Sequence, residues 1–122
     1  MNRLIPFAAL VALPSLAAAQ AVTVTLTEWK LSLRDTVRAG PLTFRLNNTG
    51  VVAHAFHVKG EGVDRSSREV GPKQTGTLTL TLKPGTYDVY CPMAEETHMK
   101  AGMARKLVVV AADSAAAKPP QR

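Results

Sequence analysis

Apolar and polar residues alternate along most of this chain, which is the pattern of β-strands with one buried face. Residues 22–28 and 76–82 follow the two-residue period most strictly. The same period, or a short apolar run, recurs in five further stretches: 29–33, 42–46, 52–58, 86–90 and 106–110. No stretch beyond the first residues has a convincing helical period. The pattern therefore predicts an all-β chain of about seven short strands.

Glycine, proline and asparagine lie between these stretches and predict turns. Residues 38–41 read Arg-Ala-Gly-Pro, and residues 47–50 read Asn-Asn-Thr-Gly. In Lys83-Pro84-Gly85, proline and glycine occupy the two central positions of a type II turn. Residues 60–75 are polar and predict a long connection, in which one helical turn is an option. Short strands separated by turns favour a Greek-key β-sandwich.

The two ends of the chain differ in composition from the rest. Asn2 and Arg3 precede an apolar segment, residues 4–16, and the small residues 17–19 follow it. This succession predicts a signal peptide over residues 1–19 and a periplasmic or secreted protein. A buried N-terminal helix is the alternative, but Pro6 and Pro14 disfavour it. We predict one domain over residues 20–110, a disordered tail over residues 111–122 and no transmembrane segment.

The chain is basic, with a formal net charge of +6. Its basic residues are scattered and are not interleaved with aromatic residues, which argues against nucleic-acid binding. The charge favours acidic partner proteins or peripheral association with an anionic membrane surface. A solvated basic surface without a specific partner explains it equally well. We expect a monomer.

Residues 90–103 concentrate the chemically distinctive side chains. They include the only cysteine, one of the three histidines and three of the four methionines. Together with His54, the side chains of Cys91, His98 and a methionine match a trigonal His₂Cys site with a weak axial thioether, as in copper electron-transfer proteins. Zinc is the competitor for the histidines and the cysteine, but methionine is not among its usual ligands. A buried free thiol is the alternative interpretation of Cys91, and we expect His57 to face away from the site.

Several segments carry a resemblance to a known family. They are Thr-Glu-Trp at 27–29, Ala-Gly-Pro-Leu-Thr-Phe at 39–44, Asn-Asn-Thr-Gly at 47–50, His-Ala-Phe at 54–56, Leu-Lys-Pro-Gly-Thr-Tyr at 82–87, Tyr-Cys-Pro at 90–92 and His-Met-Lys-Ala-Gly-Met at 98–103. In this combination the chain resembles the small cupredoxins, the type 1 blue copper proteins of the plastocyanin and azurin superfamily. The resemblance covers residues 22–110. It implies that copper is held by His54, Cys91 and His98 as equatorial ligands and by Met103 as the axial ligand.

Two positions depart from the family's usual pattern. Six residues separate Cys91 from His98, which is a longer spacing than in many small relatives, and Thr97 stands where those relatives have glycine. Ala55 stands where relatives often have asparagine, which leaves its backbone N–H to donate to the Cys91 sulfur. The resemblance also implies that His98 lies at the surface as the electron exit, under an apolar patch. Met93, Met99 and Ala101 are the candidates for that patch.

The leading hypothesis is an exported one-electron carrier that cycles between Cu(I) and Cu(II), exchanges electrons with redox partner proteins and is not an enzyme. The alternative is a periplasmic copper-handling protein, either a chaperone or a resistance factor, because several methionines near His98 suit exchangeable Cu(I). A metal-free β-sandwich interaction module is a third hypothesis. A copper oxidase or reductase requires further copper sites, and three histidines are too few to build them.

Overall fold

In the computed structural model, residues 8–9 and 19–113 are described. Within them the chain forms nine strands and one short helix: β1 Gln20–Thr27, β2 Lys30–Ser32, β3 Thr36–Arg38, β4 Gly40–Asn48, β5 His57–Gly60, β6 Val63–Ser66, β7 Thr75–Leu82, β8 Gly85–Tyr90, α1 Thr97–Lys100 and β9 Ala104–Val110. The predicted signal peptide, residues 1–19, lies almost entirely outside the described residues. So does the predicted tail, apart from residues 111–113.

The strands form two mixed sheets. One has the order β2-β1-β4-β7, and the other has the order β3-β9-β8-β5-β6. The pairs β1–β4 and β3–β9 are parallel, and the remaining pairs are antiparallel. The predicted all-β sandwich is confirmed, with more strands than the seven expected.

The core lies between the two sheets and follows from the alternation in the sequence. In β7, for example, every second residue from Leu78 to Leu82 is buried while the threonines between them are exposed. Phe44 of β4 contacts Phe56, with ring centroids 5.0 Å apart, and both are fully buried. Full burial of such a side chain stabilises the fold by about 1.5–3 kcal/mol. This packed interior makes a stiff frame for the loops at the sandwich end.

The strand predicted over residues 52–58 is wrong in its first half, because β5 begins only at His57. His54 instead pairs with Val70 in an isolated bridge, with backbone hydrogen bonds of 3.1 and 2.7 Å. The segment before β5 crosses from the β4 sheet to the β5 sheet, so its side chains do not alternate between solvent and core. His54, Ala55 and Phe56 are therefore all buried, whereas consecutive residues of a strand would point to alternate faces.

The remaining differences concern short elements. β6 occupies part of the predicted polar connection, where a helical turn was the option considered. β3 and β6 are the edge strands of their sheet and bury few side chains, so they lack the alternation that reveals a strand. α1 has four residues, too few to show a helical period. Across residues 8–9 and 19–113, no helix has the length and apolar character needed to cross a bilayer.

Candidate metal centre

The loop that carries three of the candidate ligands is closed at its base by backbone hydrogen bonds. β8 leads directly into Cys91, and β9 begins directly after Met103. The N–H of Cys91 donates to the carbonyl of Met103 at 3.0 Å, which extends the β8–β9 ladder by one pair. The N–H of Met103 donates to the carbonyl of His98 at 3.1 Å. The backbones of all three residues are thus fixed relative to one another.

The long spacing between Cys91 and His98 is accommodated by an unusual turn. Ala94, Glu95 and Glu96 all have left-handed backbones, with φ of 53°, 52° and 66°. Such a conformation costs a residue other than glycine roughly 1–2 kcal/mol, and it persists only where the surrounding structure enforces it. The chain then enters α1, which places His98 on a helical turn with its side chain inward.

Three donor atoms converge inside this end of the sandwich. The Nδ1 atoms of His54 and His98 lie 3.3 Å apart, and the Cys91 Sγ lies 4.0 Å from the first and 3.6 Å from the second. His54 and Cys91 are fully buried, and His98 is 9% exposed. In the part of the chain that the structure describes, these three residues form a group able to hold a metal ion.

The spacing of the three donors can be compared with that of a bound metal. Bond lengths of about 2.0–2.1 Å to nitrogen and about 2.3 Å to sulfur put trigonal planar donors about 3.5 Å (N to N) and about 3.8 Å (N to S) apart. The observed N–N separation of 3.3 Å is slightly shorter than the first value, and the two N–S separations of 3.6 and 4.0 Å lie on either side of the second. The residues therefore fit a three-coordinate metal ion, and the soft sulfur donor with two imidazoles is consistent with copper.

The three methionines of the loop differ in burial. Met103 is fully buried, whereas Met93 is partly buried against the core and Met99 is partly exposed. The family resemblance named Met103 as axial ligand, and Met103 alone of the three lies wholly in the interior beside Cys91. Met93 is partly buried and packs against the core.

Glu28 holds the outer side of the His54 ring, a role that the sequence did not reveal. Its Oε1 accepts from His54 Nε2 at 2.9 Å and from the N–H groups of Val51 and Val52 at 3.0 Å each. The Val52 N–H is the main cause that lowers the pKa of Glu28 from 4.5 to about 2; partial burial opposes the shift, and His54 adds to it. A charged carboxylate can only accept hydrogen bonds, so His54 carries its proton on Nε2 and turns the Nδ1 lone pair toward Cys91 and His98.

Asn48 holds the segment that contains His54 through side-chain hydrogen bonds. Its Nδ2 donates to the carbonyls of Val52 and Val70 at 2.8 and 2.9 Å, and its Oδ1 accepts from the N–H of Gly50 at 2.9 Å. The side chain is fully buried. The sequence indicated only a turn at this position, whereas the structure shows that Asn48 ties the chain on both sides of His54 to β4.

Trp29 covers the outer face of His98. Their ring centroids lie 4.8 Å apart with an interplanar angle of 67°, and Trp29 is 46% exposed. Gly102 allows this approach, because its φ is 131° and a Cβ there would lie 2.8 Å from the Trp29 carbonyl oxygen. Burial lowers the pKa of His98 from 6.5, His54 adds to the shift, and Glu28 opposes it. His98 is 9% exposed, and the partly exposed Trp29 lies above it.

Two smaller expectations are settled by the geometry. The N–H of Ala55 donates to the Cys91 Sγ at 3.4 Å, as expected from the absence of asparagine at this position. His57 lies outside the donor cluster, where it hydrogen-bonds to Asp64 and stacks on Tyr90 with ring centroids 4.9 Å apart.

Comparison with known proteins addresses the fold and the family. A family model described as a cupredoxin-like domain matches residues 4–116. The fold resembles reduced auracyanin from the photosynthetic bacterium Roseiflexus castenholzii, with a TM-score of 0.63, 18% identity and coverage of 76% of this chain and 98% of that one. It also resembles auracyanin A, a "blue" copper protein from Chloroflexus aurantiacus, with a TM-score of 0.62, 19% identity and coverage of 76% and 100%.

A chain of a heme-copper terminal oxidase dimer matches at a TM-score of 0.56 and 17% identity, over 75% of this chain and 65% of that one. At these identities the structural matches establish the fold alone. No curated protein sequence matches the chain. The family model spans nearly the whole sequence and agrees with the two-sheet architecture. The chain therefore belongs to the cupredoxin-like family.

Proposed function

We propose that this protein is a one-electron carrier with a type 1 copper site formed by His54, Cys91, His98 and Met103. The observation that carries the proposal is the convergence of two imidazole Nδ1 atoms and one cysteine sulfur within 4.0 Å of one another in a buried site. Bound copper would supply the one-electron chemistry by alternating between Cu(I) and Cu(II).

The residues around the site hold the donor atoms in fixed positions and shield them from water. His54 is held by the Val70 bridge and by Glu28, and Cys91 is held by the ladder to Met103. The N–H of Ala55 directs a hydrogen bond to the sulfur at 3.4 Å. Because these contacts come from the packed β-frame, the donors have little freedom to rearrange between oxidation states. This favours rapid electron transfer.

Met103 is the proposed axial ligand. Its complete burial and its hydrogen-bonded backbone, joined to both Cys91 and His98, support this assignment over Met93 and Met99. A weak thioether donor disfavours Cu(II) moderately and so raises the reduction potential.

Electron exchange is proposed to occur at the surface formed by Trp29 above His98. The exposed indole contacts the imidazole of a proposed ligand, so a partner docked on Trp29 would lie close to the centre. The formal net charge is +6 for the full chain, and it is +5 once Arg3 is removed with the proposed signal peptide (6 − 1); this charge favours partners with an acidic docking surface.

Residues 1–19 are proposed to be a signal peptide that directs the protein to the periplasm or the exterior. The basic start, the apolar segment and the small residues 17–19 support this proposal. N-terminal sequencing of the protein recovered from its working compartment is the test. A mature protein that still begins with Met1 would refute it.

An optical spectrum of the Cu(II)-loaded protein tests the main proposal. We expect an intense blue or green thiolate-to-copper absorption that is lost in Cys91→Ser, because a hydroxyl cannot replace the thiolate. We expect His54→Ala to weaken copper binding far more than the matched control His57→Ala, since His57 lies outside the donor cluster. A pale protein that binds Cu(I) but does not cycle would favour the copper-handling alternative. Equal effects of the two histidine changes would contradict the ligand assignment.

A further inference from the structure

We propose that Glu28 is a positioning residue that fixes the proton and ring orientation of His54 and makes this imidazole a stronger donor to Cu(II). The inference rests on the proposed copper function and specifies how the site is regulated. Glu28 contacts His54 at Nε2, on the side of the ring away from the Nδ1 donor atom, and acts through this contact.

The geometry of Glu28 suits this role. One oxygen of its carboxylate lies 2.9 Å from His54 Nε2 and accepts the N–H groups of Val51 and Val52 at 3.0 Å each. These three hydrogen-bond donors fix the position of this oxygen on the Nε2 side of the His54 ring. The side chain is 21% exposed, while the His54 side chain is fully buried. The imidazole is therefore restrained from behind by a group that belongs to the turn after β1.

The contact with Glu28 determines which nitrogen of the His54 ring carries the proton. An ionised carboxylate has no proton to give, so the hydrogen in this contact belongs to Nε2. A neutral imidazole with its proton on Nε2 has a free lone pair on Nδ1, and His54 Nδ1 is the atom that lies 3.3 Å from His98 Nδ1 and 4.0 Å from the Cys91 Sγ. Without Glu28, the proton could occupy Nδ1 and block the site.

The negative charge of Glu28 also affects how strongly His54 binds a metal ion. A carboxylate that accepts a hydrogen bond from a metal-bound imidazole raises the basicity of that ligand, and loss of such partners typically lowers metal affinity 10–100-fold. A more basic nitrogen favours the more highly charged ion. Glu28 is thus expected to stabilise Cu(II) relative to Cu(I) and to lower the reduction potential, in opposition to the Met103 thioether.

Two substitutions separate the roles of hydrogen bonding and charge. Glu28→Gln keeps an oxygen that can accept from Nε2 and from both backbone N–H groups but removes the charge, whereas Glu28→Ala removes both. Glu96→Gln is the matched control, because Glu96 is an exposed carboxylate on the ligand loop, two residues from His98. It reports the effect of losing one nearby charge while the His54 contact stays intact.

The first measurement uses the metal-free protein and does not depend on copper. Imidazole ¹⁵N chemical shifts should show the wild-type His54 with its proton on Nε2, and this state should persist in Glu28→Gln. In Glu28→Ala, or in the similarly sized Glu28→Met if the alanine variant does not fold, the acceptor is lost and the proton should move at least partly to Nδ1. A wild-type His54 with its proton on Nδ1 would overturn the proposal, as would an unchanged tautomer in the folded variant that lacks the acceptor.

The second measurement uses the copper-loaded protein. We expect Glu28→Gln to weaken Cu(II) binding about tenfold relative to Cu(I), which corresponds to a rise in potential of about 59 mV for one electron, while Glu96→Gln changes it much less. Equal shifts in the two glutamine variants would refute the specific role of Glu28. If the wild-type protein shows no copper–thiolate absorption, the proposed function fails, and the tautomer measurement alone still decides the role of Glu28.

Discussion

Removal of the Asn48 side chain is expected to be among the most damaging single changes near the site, although Asn48 is not a candidate ligand. Asn48→Ala deletes the donors to the Val52 and Val70 carbonyls and the acceptor for the Gly50 N–H. The Val70 carbonyl keeps a second partner, the His54 N–H at 3.1 Å. The Val52 and Gly50 groups lose the Asn48 contact, and a small cavity replaces the side chain.

The magnitude follows from the number of contacts. Three hydrogen bonds at about 0.5–1.5 kcal/mol each give a loss of about 3 kcal/mol in the free energy of unfolding, within a range of about 1.5–4.5 kcal/mol. A domain of this size is usually stable by about 5–15 kcal/mol, so the variant should still fold. At about 4–8 °C for each kcal/mol, the midpoint of thermal unfolding should fall by about 12–24 °C.

Urea denaturation of the metal-free protein is the appropriate assay, since bound metal would add its own stabilisation. With a urea dependence of about 1.5 kcal/mol per molar, the midpoint should fall by about 2 M. Asn47→Ala is the matched control, because it deletes the same atoms from the neighbouring exposed residue. That change should stay within about 0.5 kcal/mol. The reasoning is refuted if Asn48→Ala costs less than about 1 kcal/mol, or no more than the control.

Two further predictions concern the donor set. Met103→Gln should lower the reduction potential of the copper-loaded protein, because an oxygen donor favours Cu(II), while Met99→Gln should change it little; voltammetry that shows the reverse order would make the axial assignment wrong. In the metal-free protein, the lowered pKa of His98 means that the unfolded chain takes up this proton before the folded chain does, so stability should fall as the pH drops below 6.5. Urea denaturation at pH 7.5 and 5.5 should show a larger loss in the wild type than in His98→Gln, and parallel losses would count against a buried neutral His98.

The strands and the donor residues could be predicted from the sequence because their signals are local. The alternation in β7 reports one buried face directly, and the clustering of Cys91, His98 and Met103 within one loop restricts their distance whatever the fold. His54, which lies far away in sequence, was predicted from its place in an expected strand, and the resemblance implied the same residue. The sequence did not show that His54 lies in the crossing segment rather than in a strand. His54, Ala55 and Phe56 are consecutive apolar or aromatic residues, so they do not show which side chains would face the core.

The supporting roles of Glu28 and Asn48 could not be predicted, because each depends on a contact with a residue far away in sequence. Glu28 lies 26 positions from His54 along the chain, and the Thr-Glu-Trp segment at 27–29 contributed to the resemblance without indicating a contact with His54. Asn48 has the appearance of an ordinary turn residue, and its burial depends on how β4 meets the Val70 bridge. The left-handed turn at Ala94, Glu95 and Glu96 contains neither glycine nor asparagine, the residues from which a positive φ is normally predicted.

The backbone hydrogen bond between Cys91 and Met103 has a consequence for how this family can diversify. Both ends of the ligand loop are anchored in the β8–β9 ladder, so residues added between positions 92 and 97 extend the loop outward and leave the sulfur-bearing ends in place. The length and composition of residues 92–97 can therefore alter the surface offered to a partner while Cys91 and Met103 stay in place.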